Sequence, residues 1–247
     1  MAISWTYWPS DPSWYGSDPQ GYWDTRQPWI RPVRPGSIRW QLRRTVDPTS
    51  EPVPLTLAKL HLRVDISDDD QLISYLISAA REYVEMRTGM ALMPSTWQLV
   101  LDRWPRQNAL EFWPWPGIPV GAILLPRFPV NTVTSVVWYG ADGSTNTVTA
   151  TDYIVDTSPR PPAIVPAYTK SWPAQTMIPK AGIITTFTAG YANLASVPPT
   201  LVQAILMLMG HWYENRETVM VDNRLQAISL PHALDALLAQ WVGTLVG

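Results

Sequence analysis

The residues best spaced to do chemistry are His211, Glu214 and Glu217, at i, i+3 and i+6. On a helix they occupy neighbouring positions of one surface, which is half of what a carboxylate-bridged metal site requires. The other half would have to come from a second helix. His61 is the one other histidine in a convincing helical pattern, and no carboxylate follows it at i+3. The simpler reading places Trp212, Tyr213 and Arg216 at a subunit interface, with His211 and Glu214 hydrogen-bonded at its rim.

Three consecutive aspartates, Asp68, Asp69 and Asp70, are a second candidate for a cation. Carboxylates in the first turn of a helix are explained by the positive end of its dipole, and no second ligand set lies nearby in sequence. Asp65 with Asp68, a candidate hydrolytic pair, falls in the same turn, where capping accounts for both. Cysteine is absent, which removes thiolate metal sites, disulfides and cysteine nucleophiles together. The third histidine, His232, lies in no HExxH pattern, and the chain holds no Walker A loop, GxSxG elbow or GxGxxG turn. The expectation is a protein with no catalytic residue, no metal and no cofactor.

The elements that carry these residues begin near Leu55. Thr56 is expected to cap a helix over about 56–64, with Leu57, Leu60 and Val64 on one face. Ser67 is expected to cap a longer helix, 68–88, whose apolar stripe is Leu72, Ile73, Leu76, Ile77, Ala80, Tyr83 and Val84 and whose stop is Gly89. From about 95 to 191 the pattern turns to strands. Trp97, Leu99 and Leu101 alternate with polar residues, as do Val133, Val137 and Tyr139, and Gly140-Ala141-Asp142-Gly143-Ser144 reads as a hairpin turn. A further strand runs from Ile183 to Thr188 and closes at Gly190. After Pro198-Pro199, Thr200 is expected to cap a helix over 200–216 with Leu201, Ala204, Ile205, Leu208 and Trp212 on one face. A last helix, 231–241, starts at Pro231 and carries Leu234, Leu237, Leu238 and Trp241. The stretch from Val219 to Leu230 has no strong pattern.

Composition bounds what such a chain does. It has 247 residues, 14 Trp, 25 Pro and 13 Gly, with 15% charged residues and a formal charge of -2. That charge argues against broad adhesion to nucleic acid. Arg31, Arg34, Arg39, Arg43 and Arg44 form one basic cluster, read first as solvated linker and second as a face for DNA, a membrane or an acidic protein. Met1 to Trp8 lack the basic start and apolar run of a signal peptide, and no apolar stretch is long enough to span a bilayer, so a soluble protein with no membrane partner is expected. Before residue 54, Trp5, Trp8, Trp14, Trp23, Trp29 and Trp40 lie among closely spaced prolines without periodicity. Proline at that density excludes a long helix or a central strand, so 1–54 reads as an extended arm, its tryptophans anchoring it on a partner or on its own domain, and 55–247 as the body.

Four segments in this order, LAKLHLRVD, DDDQLISYLISAAREYVEMRTGMAL, TWQLVLDRWP and VPPTLVQAILMLMGHWYENRE, resemble the tailed-phage head-tail connector (adaptor) proteins. The resemblance implies an α+β fold with a helical core of about four helices, an antiparallel β-rich insertion and, here, an extended N-terminal arm longer and richer in Trp than the family pattern. It also implies a homo-oligomeric ring of about twelve copies below the portal. Such a ring extends the channel for double-stranded DNA without reading its sequence, and it receives the next neck or tail protein. The location implied is the virion neck, after assembly in the host cytoplasm. Leu234, Leu237, Leu238 and Trp241 match in position the helix that docks on the portal protein. A closed ring needs heterologous faces, for which the helices 68–88 and 200–216 are the natural suppliers, with Tyr75, Tyr83, Trp212 and Tyr213 as anchors and Arg216 beside them. Asp68 to Asp70 are candidates for the channel wall. The alternative is an aromatic carbohydrate- or protein-binding module of a virion, with Trp97, Trp104, Trp113 and Trp115 as its platform.

Overall fold

The structure, a computed structural model, describes residues 39–105, 121–215 and 232–242. Four helices and eight strands follow one another along the described chain: β1 Trp40–Val46, α1 Leu55–Leu62, α2 Asp70–Thr88, β2 Ser95–Leu101, β3 Ile123–Leu124, β4 Val130–Tyr139, β5 Thr145–Thr147, β6 Tyr153–Asp156, β7 Ala163–Pro166, β8 Ile183–Ala189, α3 Pro199–Glu214 and α4 His232–Val242. The α+β class and the helical core with a β-rich insertion are as the sequence implies. No helix among the described residues is long and apolar enough to cross a membrane.

The helices bury the stripes that their periodicity predicts. Ile73, Ile77, Ala80 and Val84 of α2 meet Leu201, Ala204, Ile205 and Leu208 of α3, and Leu234 and Leu238 of α4 close the same core. Full burial of such a side chain contributes about 1.5–3 kcal/mol. The helix ends depart from expectation. Pro54, not Thr56, stands at the N-cap of α1; α2 starts at Asp70 with Asp69 as its N-cap; and Pro198 precedes α3 with Pro199 in its first turn. None of the three has a capping side-chain hydrogen bond; in α3 the first-turn proline pre-sets the helical φ and has no orphan N–H to satisfy. Gly89 ends α2 in the left-handed region at φ 74, as expected.

The insertion forms two antiparallel sheets. One has the order β1-β2-β8-β4-β5 and the other β3-β7-β6. In the larger sheet β2 alternates buried and half-buried residues along its whole length, as does β8. Trp97, Leu99 and Leu101 thus join Ile183, Phe187 and Ala189 in a second core, together with Trp138, Trp104 and Trp172. Trp104 and Trp172 stack with centroids 4.8 Å apart and planes 7° from parallel. The hairpin β4–β5 turns at the predicted Asp142-Gly143, where Gly143 takes φ 83.

The end of the expected arm is part of this sheet. Trp40–Val46 runs antiparallel to β2 with Trp40 opposite Leu101, Leu42 opposite Leu99 and Arg44 opposite Trp97. It is an edge strand, and it contains no proline. Prolines 48, 52 and 54 follow it and fix the extended path into α1. The arm tryptophans Trp5, Trp8, Trp14, Trp23 and Trp29 lie outside the described residues; Trp40 stands on the sheet edge, 41% exposed.

Candidate functional site

The two cores meet at a cluster of buried charge that sequence reasoning missed. Glu85, near the end of α2, is 4% exposed, as is Arg81 one turn earlier. Glu85 Oε2 accepts from Arg81 Nη1 at 3.0 Å and from Arg44 Nη1 at 3.4 Å, while Oε1 accepts the Leu92 amide at 2.8 Å. Arg81 Nε donates to Glu51 at 2.7 Å, and Ser78 Oγ holds the other oxygen of Glu51. Arg44 also reaches Asp47 at 2.6 Å and Glu82 at 2.7 Å. Arg127 donates to the Glu85 carbonyl and lies over Trp97, 4.9 Å from its centroid, with Arg44 also against that ring at 5.6 Å. One cluster thus ties β1, α2, β2 and the β3–β4 connection together.

Burial pushes the Glu85 carboxyl up from its ordinary value, against the Leu92 amide and the charges of Arg81, Arg44 and Arg127. Burial also pushes Arg127 down, partly offset by Glu85. For Arg81 burial acts the same way, but the Glu51 hydrogen bond and the carboxylates of Glu85, Glu51 and Glu82 outweigh it and hold the guanidinium charged. For Arg81 the partners outweigh burial, whereas for Glu85 burial outweighs the partners. In sequence the visible part is Arg81 with Glu85 at i+4; residues 44, 47, 51 and 127 give no local sign that they converge there.

The predicted metal and acid candidates are engaged elsewhere. Asn215 Nδ2 donates to the His211 carbonyl at 2.8 Å and lies 3.3 Å from its Nδ1. Glu214 is exposed, and Glu217 lies outside the described residues. Lys59 pairs with Asp70 at 2.6 Å, and the Tyr213 hydroxyl donates to Asp69. Among the described residues no three His, Cys, Asp or Glu side chains are grouped to hold a metal ion.

The interface candidates divide. Tyr75 is 65% exposed on the outward side of α2. Tyr83 and Trp212 meet edge to face at 6.3 Å and pack on the helical core, and Tyr213 binds Asp69, so these three are engaged within the subunit. Arg216 lies outside the described residues. The expected portal-docking side chains also face inward. Leu234 and Leu238 are each 1% exposed, Leu237 and Trp241 pack partly buried against the same core, and Trp241 Nε1 donates to Thr200 at 3.1 Å. An apolar stripe buries against the nearest apolar surface, and here that surface is α2 and α3. What α4 leaves outward is Asp235, Ala236, Ala239 and Gln240. Trp97 and Trp104 are core residues, 6% and 9% exposed, and cannot form an aromatic platform; Trp113 and Trp115 lie outside the described residues.

Likeness to known proteins points to one family. The phage gp6-like head-tail connector proteins match over residues 53–137, which run from the entry to α1 through α2 and β2 to most of β4. Over that segment the chain is similar to the head-tail connector family. The chain is also similar to chains of solved particles. One is in the neck of an empty gene transfer agent (GTA) particle computed with C6 symmetry, and another is in the virion of a native GTA particle; each is 26% identical, with a TM-score of 0.61, over 81% of this chain and 94% of that one. A third, in the neck of a native GTA particle computed with C12 symmetry, has the same identity and coverage and a TM-score of 0.58. No curated protein matches the chain.

Proposed function

We propose that this chain is a non-catalytic structural subunit of the neck of a tailed-phage-like particle, assembled in the host cytoplasm as one copy in a homo-oligomeric ring below the portal. The ring would prolong the DNA channel and receive the next neck or tail protein. The observation that carries the reading is the similarity, across nearly the whole of the other chain, to subunits of GTA necks computed with cyclic symmetry. A subunit with a net charge of -2 suits a conduit, since dense phosphate contacts would hold the DNA that must pass.

The fold supports the same role. Two cores locked by a buried charge cluster make a stiff block, which a ring under mechanical load needs, and Tyr75 offers an outward aromatic anchor. Portal contact through α4 would have to use its outward side, Asp235, Ala236, Ala239 and Gln240, or a segment beyond the described residues. The rival binding-module reading loses Trp97 and Trp104 to the core.

Cryo-electron microscopy of the particle neck tests the proposal. A closed ring of this chain directly below the portal, encircling the channel, is the expected result. Density for the chain elsewhere in the particle, or its absence from the neck, would overturn it.

A further inference from the structure

Two exposed surfaces on different cores have complementary chemistry. The first is the outward stripe of α2. Asp68, just before the helix, and Gln71, Tyr75, Ala79, Glu82 and Met86 on it recur at spacings of three and four, and all are exposed. Tyr75 is 65% and Met86 52% exposed, so the stripe joins two large apolar side chains to two carboxylates, of which Glu82 also pairs through Oε1 with Arg44 at its flank. The small Ala79 between Tyr75 and Glu82 leaves a shallow gap in it. The second surface is the loop from β7 to β8, Ala167 to Gly182. It contains Lys170 and Lys180 and no acidic residue. Tyr168 at its tip is 92% exposed, the most exposed of the large hydrophobic side chains among the described residues, and Ile154 on the adjoining edge strand β6 is 53% exposed.

The loop tip is held in place by its surroundings. Thr169 adopts φ 66, a region that β-branched residues avoid, and the Ala167 amide is tied to the Asp152 carbonyl. Farther along, Trp172 is buried against Trp104 and donates to the Gly121 carbonyl at 2.6 Å. The anchored loop thus presents Tyr168 and Lys170 outward. Lys170 shares an ion pair with Asp152 at 3.0 Å, but the lysine side chain is 53% exposed, and exposed pairs of this kind exchange partners readily.

We propose that the tip Tyr168 to Lys170 of one copy seats on the α2 stripe of a second copy, with Tyr168 over Ala79 between Tyr75 and Met86, and Lys170 toward Glu82. The contact is heterologous, one face meeting a different face, which is the type that closes a ring. It rests on the ring reading above and deepens it by naming the two faces.

The chain has no cysteine, which makes disulfide trapping clean. Necks assembled from full-length chain carrying both Ala79→Cys and Ser171→Cys are oxidised and run without reductant. The expected result is a ladder of bands at multiples of the subunit mass that collapses on reduction, with single subunits from either one-cysteine variant. As a second measurement, Lys170→Glu should lower neck incorporation by about tenfold or more. A ring seen in the same necks with no ladder overturns this proposal alone. Wild-type necks that contain no ring of this chain overturn the ring reading, and this proposal with it.

Discussion

At the scale of single residues, Glu85 carries more of the architecture than any position of α2 that periodicity singles out. Its two oxygens accept from Arg81, Arg44 and the Leu92 amide, so removing it leaves two guanidinium groups and a backbone donor short of a partner at once. Breaking a buried ion pair from one side typically costs about 3–5 kcal/mol. Glu85→Ala should therefore lower the unfolding free energy by about that much in a denaturant titration. Glu85→Gln should lose less, because its amide oxygen still accepts from Leu92. Equal losses in the two variants would mean that the charge, not the Leu92 contact, dominates. Such a residue is hard to see in sequence. An Arg and a Glu four apart on a helix usually mark a solvated face, and only the convergence of Arg44, Glu51 and Arg127 makes this pair a buried one.

At the scale of elements, what the sequence showed and what it hid divide along one line. Periodicity reports that a face is buried; it does not report against what. The stripe of α2 and the alternation of β2 and β8 were legible because each has one clear partner surface. The stripe of α4 was equally legible, yet its partner is the subunit's own α2 and α3. Leu238→Ala should consequently destabilise the isolated subunit by about 2–5 kcal/mol, against ~0.5 kcal/mol or less for Gln240→Ala. Unchanged stability in Leu238→Ala would show that Leu238 awaits an external partner after all. The strand β1 was hidden for a different reason. Its arginines look like linker charge, because the carboxylates that receive Arg44 lie on α2 and beyond the strand. The β4–β5 turn was legible, and it titrates. The Ser144 hydroxyl, then its amide, hold the Asp142 carboxyl below its ordinary value. A depressed carboxyl adds stability that is complete above the ordinary carboxylate value and is lost as pH falls through the folded value. The protection factors at Gly143 and Ser144, taken relative to the intrinsic exchange rate at each pH, should accordingly fall in acid, and Asp142→Asn should abolish that fall.

At the scale of the whole molecule, the chain alternates between its two cores where they join. Met90, Leu92 and Met93 enter the helical core while Ala91 enters the sheet core, and Phe128 and Leu125 divide the same way on the opposing segment. The charge cluster spans this seam, through Arg44 and Arg127 to Trp97. A short apolar seam and one polar cluster therefore carry whatever mechanical coupling the two cores have. Two observables separate the cores: hydrogen exchange in peptides from α3 reports one, and in peptides from β8 the other. In the intact subunit both should lose protection at the same denaturant concentration, as one cooperative unit does. In Glu85→Ala the two transitions should part, because the polar half of the seam is gone while each apolar core remains whole. If α3 and β8 still open together in that variant, the apolar alternation at Met90 to Met93 is sufficient to couple the cores. The charge cluster would then serve to fix the position of β1.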